Sequence, residues 1–156
     1  MSENKCGGCT ECCTTMKVEQ AGVIDKPQRV ACTHCIKSGC GIYESRPDPC
    51  QGFQCVWLAS QLWPELALPS ALRPDRCGVV LEVNSKETII AHSRKEYSWK
   101  DPRMLKWLVH RAKIGHVTLN LPDDKVALLN QYGEVERLQY IGLDPDTNER
   151  KYRRLV

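Results

Sequence analysis

The sequence predicts an α+β protein: an irregular cysteine-rich metal-binding module packed on a small, mostly antiparallel sheet with one main helix. Three observations lead there. Nine of the ten cysteines lie between Cys6 and Cys55. Beyond Cys77, β-branched runs alternate with turn residues. A single stretch, residues 102–114, carries apolar side chains at helical spacing. The expected division is residues 1–60 for the module, 61–76 for a linker and 77–156 for the α+β lobe.

Along the first part, Gly7-Gly8, Asp25-Lys26-Pro27, Ser38-Gly39 and Arg46-Pro47-Asp48-Pro49 punctuate the chain. Short helical turns fit residues 11–18 and 54–61. Phe53-Gln54-Cys55-Val56-Trp57-Leu58 is where the module should meet an apolar core. Trp63-Pro64 and Leu68-Pro69 mark the linker, closed by Arg73-Pro74-Asp75. In the lobe, Val79-Val80-Leu81-Glu82-Val83 and Thr88-Ile89-Ile90-Ala91 read as a hairpin about Asn84-Ser85-Lys86. The helix has Asp101 as cap, Pro102 in its first turn, Leu105, Leu108 and Ala112 on one face beside Trp107, and Gly115 at its end. Residues 116–121, 126–129 and 135–141 then read as strands, the last two joined by Asn130-Gln131-Tyr132-Gly133.

A chain of 156 residues with 42% hydrophobic and 26% charged residues can fold, but four Trp, five Tyr and one Phe leave burial to aliphatics and, in the first half, to metal–ligand bonds. The formal charge of +3 treats cysteine as neutral. Eight thiolates around two divalent ions would remove four charges, so the apparent basicity is no argument for nucleic acid. No apolar run approaches the roughly 20 residues that span a bilayer. The polar start at Met1 to Lys5 carries no signal core, so the expectation is a cytoplasmic protein. There thiols stay reduced, and clustered cysteines bind metal rather than forming a disulfide scaffold.

The cysteines form two clusters: Cys6, Cys9, Cys12 and Cys13, then Cys32, Cys35, Cys40, Cys50 and Cys55. The first reads C-x2-C-x2-C-C, and Cys32-Thr33-His34-Cys35 repeats the C-x2-C. Two intervening residues form a tight turn from which both thiolates can grip one ion. Gly7-Gly8 lets backbone amides turn toward sulfur. Nine thiols supply two four-cysteine sites with one left over, or one polynuclear site. Soft thiolates select zinc, iron–sulfur or copper(I) over magnesium or calcium. Separated C-x2-C pairs favour zinc, as two ions. C-x2-C-x2-C with a distant cysteine beside proline supports iron or an iron–sulfur cluster, although Pro49 precedes Cys50 where ferredoxins place proline after it. Adjacent Cys12 and Cys13 fit poorly on one ion, so the clusters should interleave.

The joint pattern Cys6-x2-Cys9-x2-Cys12-Cys13 and Cys40-Gly41-Ile42-Tyr43-Glu44-Ser45-Arg46-Pro47-x2-Cys50 resembles the YkgJ-like cysteine-cluster family, over roughly residues 6–58. That family is described as a zinc- or iron-chelating domain, and a related cluster occurs in flagellin lysine methylases. The resemblance implies chelation by Cys6, Cys9, Cys12, Cys13, Cys40, Cys50 and Cys55, with Cys32 and Cys35 similar to a middle pair found in part of the family. Arg46 keeps its proton and could offset thiolate charge or donate to sulfur, with Tyr43 assisting; the plainer reading is a structural turn with Arg46 in a surface ion pair.

Other candidates are plainer. His34 sits inside a C-x2-C but is not needed among nine thiols. His92, His110 and His116 have no metal-type partner at i+3 or i+4. Cys77 reads as a small buried hydrophobe. No lone activated thiol stands out as a nucleophile, and no glycine-rich nucleotide loop is present. Arg150-Lys151-Tyr152-Arg153-Arg154 reads as a solvated terminus, or as a patch for an anionic partner. Three functions remain: thiolate coordination of zinc or iron; an iron–sulfur protein with redox or methylase-like activity; and a module that binds a protein partner and uses metal as scaffold.

Overall fold

The computed structural model describes residues 9–37, 39–60, 63–85 and 88–155. Cys6, Gly7-Gly8, Ser38 and Lys86 of the expected turns lie outside the described residues. The chain divides into two compact units, Met1–Glu82 and Val83–Val156. Helices and strands occur together, as expected of the α+β class.

The first unit is made of short pieces. Helix α1 (Glu11–Thr15) leads into the antiparallel pair β1 (Val18–Gln20) and β2 (Ile24–Lys26), which turns at Gly22 with φ 73°. A second two-stranded pair, β3 (Cys35–Ile36) and β4 (Gly39–Cys40), follows. Then come α2 (Asp48–Gly52), α3 (Val56–Ala59) and α4 (Pro74–Cys77). Helices of four or five residues cannot sustain themselves by propagation and need ties from outside. Hydrophobic burial supplies few of those ties near the N-terminus. From residue 9 to residue 54 the only buried positions among the described residues are Glu11, Thr15, Lys26 and Gly39. The apolar core of this unit starts at Cys55 and Val56 and continues through Leu72 and Val79-Val80-Leu81. The stretch expected to be a linker holds single 3-10 turns at Pro64–Leu66 and Ser70–Leu72, and Leu72 is almost fully buried.

The second unit rests on a sheet of order β10-β9-β8-β7-β6-β5, with the unit boundary falling inside β5 (Val79–Ser85). Its other strands are β6 (Thr88–Ser93), β7 (His116–Leu121), β8 (Lys125–Leu129), β9 (Val135–Leu143) and β10 (Arg150–Arg154). β7, β8, β9 and β10 pair antiparallel in succession, as short connections dictate. Strands β6 and β7 instead run parallel, Thr88 opposite His116 and His92 opposite Asn120. The connection between them holds α5 (Pro102–Ala112), and such a crossover is what a parallel pair needs.

The Asp101 side chain caps α5, accepting from the N–H of Arg103 at 3.0 Å and of Met104 at 3.4 Å. The buried face corrects the expected one. Met104, Leu108 and Arg111 are buried, whereas Leu105, Trp107 and Ala112 are only half-buried. The i, i+4, i+7 series beginning at Met104 faces inward, and the Arg111 guanidinium lies 6.0 Å over the Trp107 ring. In β6 and β7 alternate residues are buried, placing Ile89, Ala91, Val117, Leu119 and Leu121 on the core side with Ala127 and Leu129 of β8.

Turn chemistry sets the registers. Asp123 and Asp124 both adopt left-handed φ, 59° and 57°, within the three-residue connection that leaves Leu121 opposite Lys125. At the next turn the Asn130 carboxamide oxygen accepts from the N–H of Tyr132 at 2.9 Å and of Glu134 at 3.0 Å, with Gly133 at φ 81°. The basic tail also departs from expectation: it is a strand, paired with β9 from Arg150 opposite Leu143 to Arg154 opposite Leu138. Asp144 makes this possible, its carboxylate accepting from the N–H of Asp146 at 2.9 Å and of Thr147 at 3.0 Å, which folds the chain back.

Candidate metal centre

Backbone hydrogen bonds stitch the two cysteine clusters together. The Cys32 N–H donates to the Cys13 carbonyl at 2.9 Å, and the Cys35 N–H to the Cys32 carbonyl at 3.0 Å. Inside the C-x2-C turn the His34 N–H donates to the Cys32 sulfur at 3.4 Å, so His34 contributes its backbone while its side chain is exposed. The Gly41 N–H reaches the His34 carbonyl at 2.7 Å. A Cβ at Gly41 would stand 3.2 Å from that oxygen, so the approach suits glycine. Cys35 and Cys40 are direct partners across β3 and β4. Cys50 sits in α2, which is fastened to β1 by reciprocal bonds: Gln20 Nε2 to Asp48 Oδ2 at 3.1 Å and the Asp48 N–H to Gln20 Oε1 at 3.0 Å.

The thiols sense one another. Burial, and then the charges of Cys13, Cys32 and Cys40, pushes the Cys35 thiol up, against a hydrogen bond from the Thr10 side chain. Burial and the same three cysteines push Cys50 up, opposed by Arg46. A hydrogen bond with the Cys12 thiol, then burial, raises Cys13 strongly, while Lys26 and Arg46 pull it down. Cys13, Cys32, Cys35, Cys40 and Cys50 therefore occupy one electrostatic neighbourhood. Cys9 belongs to another. Burial raises its pKa, the backbone N–H groups of Glu11 and Asp75 and the charge of Arg73 lower it, and the Asp75 charge acts against them. Arg73 also grips Asp75 in a fork, Nε to Oδ1 at 2.6 Å and Nη2 to Oδ2 at 2.5 Å, holding that segment at Cys9. Cys55 is buried at the start of α3. Cys77 hydrogen-bonds through its sulfur to the Leu72 and Val79 carbonyls at 3.5 and 3.6 Å, as a structural thiol.

Besides Arg73 at Cys9, two cations attend the shared neighbourhood. Arg46 donates from Nε to the Tyr43 carbonyl at 2.8 Å and from Nη1 to the Cys50 carbonyl at 3.4 Å, with its guanidinium 4.0 Å over the Tyr43 ring. Its role is thus to brace the turn and lend positive charge to Cys13 and Cys50 through space. The second cation, Lys26, escaped the sequence reading. It is 5% exposed at the end of β2, and its ammonium donates to the Pro27 carbonyl at 3.0 Å and the Val30 carbonyl at 2.8 Å. Burial lowers its pKa, and the facing charges of Cys32, Cys13, Cys12 and Cys50 act to restore it. A buried lysine is exceptional unless paired. Its sequence signal, Lys26 followed by Pro27 between apolar-poor turns, looks like any surface turn.

Among the described residues no group of three or more His, Cys, Asp or Glu side chains is arranged to hold a metal ion. What the donor set supplies is chemistry: soft sulfur, thiols whose protons are held by burial and mutual repulsion, and buried positive charge beside them. No family model matches the chain, and no match was found among curated proteins or solved structures. No helix among the described residues is long and apolar enough to cross a membrane.

Proposed function

We propose that the first unit is a metal-binding module that coordinates zinc or iron through cysteine thiolates. The observation that carries this reading is the pairing of two facts. Residues 9–54 bury no large hydrophobic side chain among those described, yet Cys13, Cys32, Cys35, Cys40 and Cys50 share one neighbourhood with Lys26 and Arg46. A segment without an apolar core needs another source of cohesion, and metal–thiolate bonds couple directly to folding. The raised thiol pKa values set the proton cost of that binding, since the thiolate is the ligand. A divalent cation replaces protons that burial and repulsion hold on sulfur, and it removes the repulsion at once.

The proposed ligands come from Cys6, Cys9, Cys12, Cys13, Cys32, Cys35, Cys40, Cys50 and Cys55, with zinc as two ions. Cys9 stands apart from the other five, with Arg73 and Asp75 beside it. When bound, the metal supplies structural cross-links; this chain's residues hold it, brace the turns and balance its charge. The reducing cytoplasm is the compartment that keeps such thiols available. The resemblance to the YkgJ-like family supports the same reading. Metal analysis of anaerobically purified protein, together with its visible spectrum, tests it. Colourless protein with stoichiometric zinc supports structural zinc, whereas a brown sample with charge-transfer bands supports an iron–sulfur centre with redox or methylase-like chemistry. Protein that binds neither metal would overturn both.

A further inference from the structure

The edge of the sheet in the second unit carries chemistry unrelated to the cysteines. Strand β10 is the last strand in the sheet order, so among the described residues its outer edge has no partner strand. All five of its residues, Arg150-Lys151-Tyr152-Arg153-Arg154, are exposed. Its inner edge is secured by β9 and by a bond from the Leu155 N–H to the Arg137 carbonyl at 2.9 Å. The side chains are ordered by neighbours: Tyr152 meets Tyr140 edge-to-face at 5.9 Å, and the Arg150 guanidinium lies 5.9 Å over Tyr140. Arg154 pairs with Glu136 at 3.3 Å, while Arg150 and Arg153 have no carboxylate partner among the described residues.

We propose that the outer edge of β10 accepts an extended acidic peptide strand of a protein partner. An open edge offers backbone donors and acceptors in a row, which is the basis of recognition by strand addition. The charges choose the occupant. A second copy pairing antiparallel about Tyr152 would set Arg150 against Arg154 and Lys151 against Arg153 on both sides of the centre, and like charges directly opposite destabilise a pair. A strand bearing Asp or Glu at those positions reverses every one of these contacts, and an aromatic or aliphatic residue at its centre meets Tyr152.

The test uses the full chain and a fluorescein-labelled peptide with the core Glu-Glu-Phe-Glu-Glu, read by anisotropy. Binding is expected. Backbone N-methylation on the edge-facing side of the peptide is expected to abolish it, because charge is kept while the strand bonds are lost. A double variant, R150E with R153E, is expected to weaken it by about tenfold or more. Equal binding of the methylated peptide, or unchanged binding to the double variant, overturns strand addition. Binding of oligothymidylate in place of the peptide would assign the surface to single-stranded nucleic acid and also overturn the proposal. The methylated-peptide arm uses the unaltered protein, so misfolding of a variant leaves the test intact.

Discussion

The Cys32 N–H donates to the Cys13 carbonyl at 2.9 Å, and this one bond joins the C-x2-C-x2-C-C cluster to the C-x2-C pair almost twenty residues later. It sets the helix that carries Cys12 and Cys13 against the turn that carries Cys32 and Cys35. The sulfurs of both motifs are then electrostatic neighbours before any ion arrives. The consequences can be measured.

Metal removal should unfold residues 9–54 first. That stretch lacks buried large hydrophobic side chains among the described residues, while the second unit keeps Leu108, Leu119 and Leu121 fully buried. Hydrogen exchange after chelation should show protection lost in the first unit and kept in β6, β7 and α5. Uniform protection with confirmed metal loss would sink the metal-scaffold reading.

Replacing Lys26 by Met should weaken metal binding by about 10- to 100-fold, the usual effect of losing a group that supports ligands from outside the coordination sphere. The methionine fits the space but leaves the charges of Cys12, Cys13, Cys32 and Cys50 unopposed from that side. Competition with a chromophoric chelator checks it. Unchanged affinity would reduce Lys26 to a clamp on the Pro27 and Val30 carbonyls.

Loss of the helix cap in Asp101→Ala should cost about 1 kcal/mol, measured by denaturant unfolding of the full chain. The cap also gives a pH dependence. Burial acts to raise the Asp101 pKa, but the side chain of Arg103 and the N–H groups of Met104 and Arg103 outweigh it, and the folded value is lowered. A carboxylate depressed on folding stabilises above its unfolded pKa, about 3.9, and that contribution disappears as pH falls through the lower folded value. The variant and the parent should therefore converge in stability in acid. A gap that persists well below pH 3 would show that the charge is not the source.

Leu108→Ala should destabilise the second unit by about 2–5 kcal/mol, because a fully buried side chain on the inward face of α5 is truncated. The same change at Leu105, half-buried on the neighbouring face, should cost clearly less. Equal losses would mean that the helix is rotated toward the face expected from spacing alone.

Much of the second unit was legible because short-range rules govern it. β-rich runs marked β6 and β7, Asp101-Pro102 marked the start of α5, and Asn130 to Gly133 marked a turn whose side-chain bonds close over four residues. The parallel pairing of β6 and β7 was not legible, since direction depends on where the crossover helix places the returning chain. The strand at Arg150–Arg154 was missed because four basic residues in five read as solvent-loving. Its partner, β9, is named only by the turn that Asp144 folds.

The sequence by itself determined the chemistry of this protein: sulfur donors at C-x2-C spacing, an apolar-poor first half, and an α+β second half whose caps and turns are local. Only the tertiary structure decided which groups meet. It placed Cys13, Cys32, Cys35, Cys40 and Cys50 in one field, set Cys9 beside Arg73 and Asp75, and turned Lys26 inward to face the sulfurs. The physical reason is range: spacing and capping act over three or four residues, whereas electrostatic neighbourhoods and burial depend on contacts between segments that the chain keeps far apart.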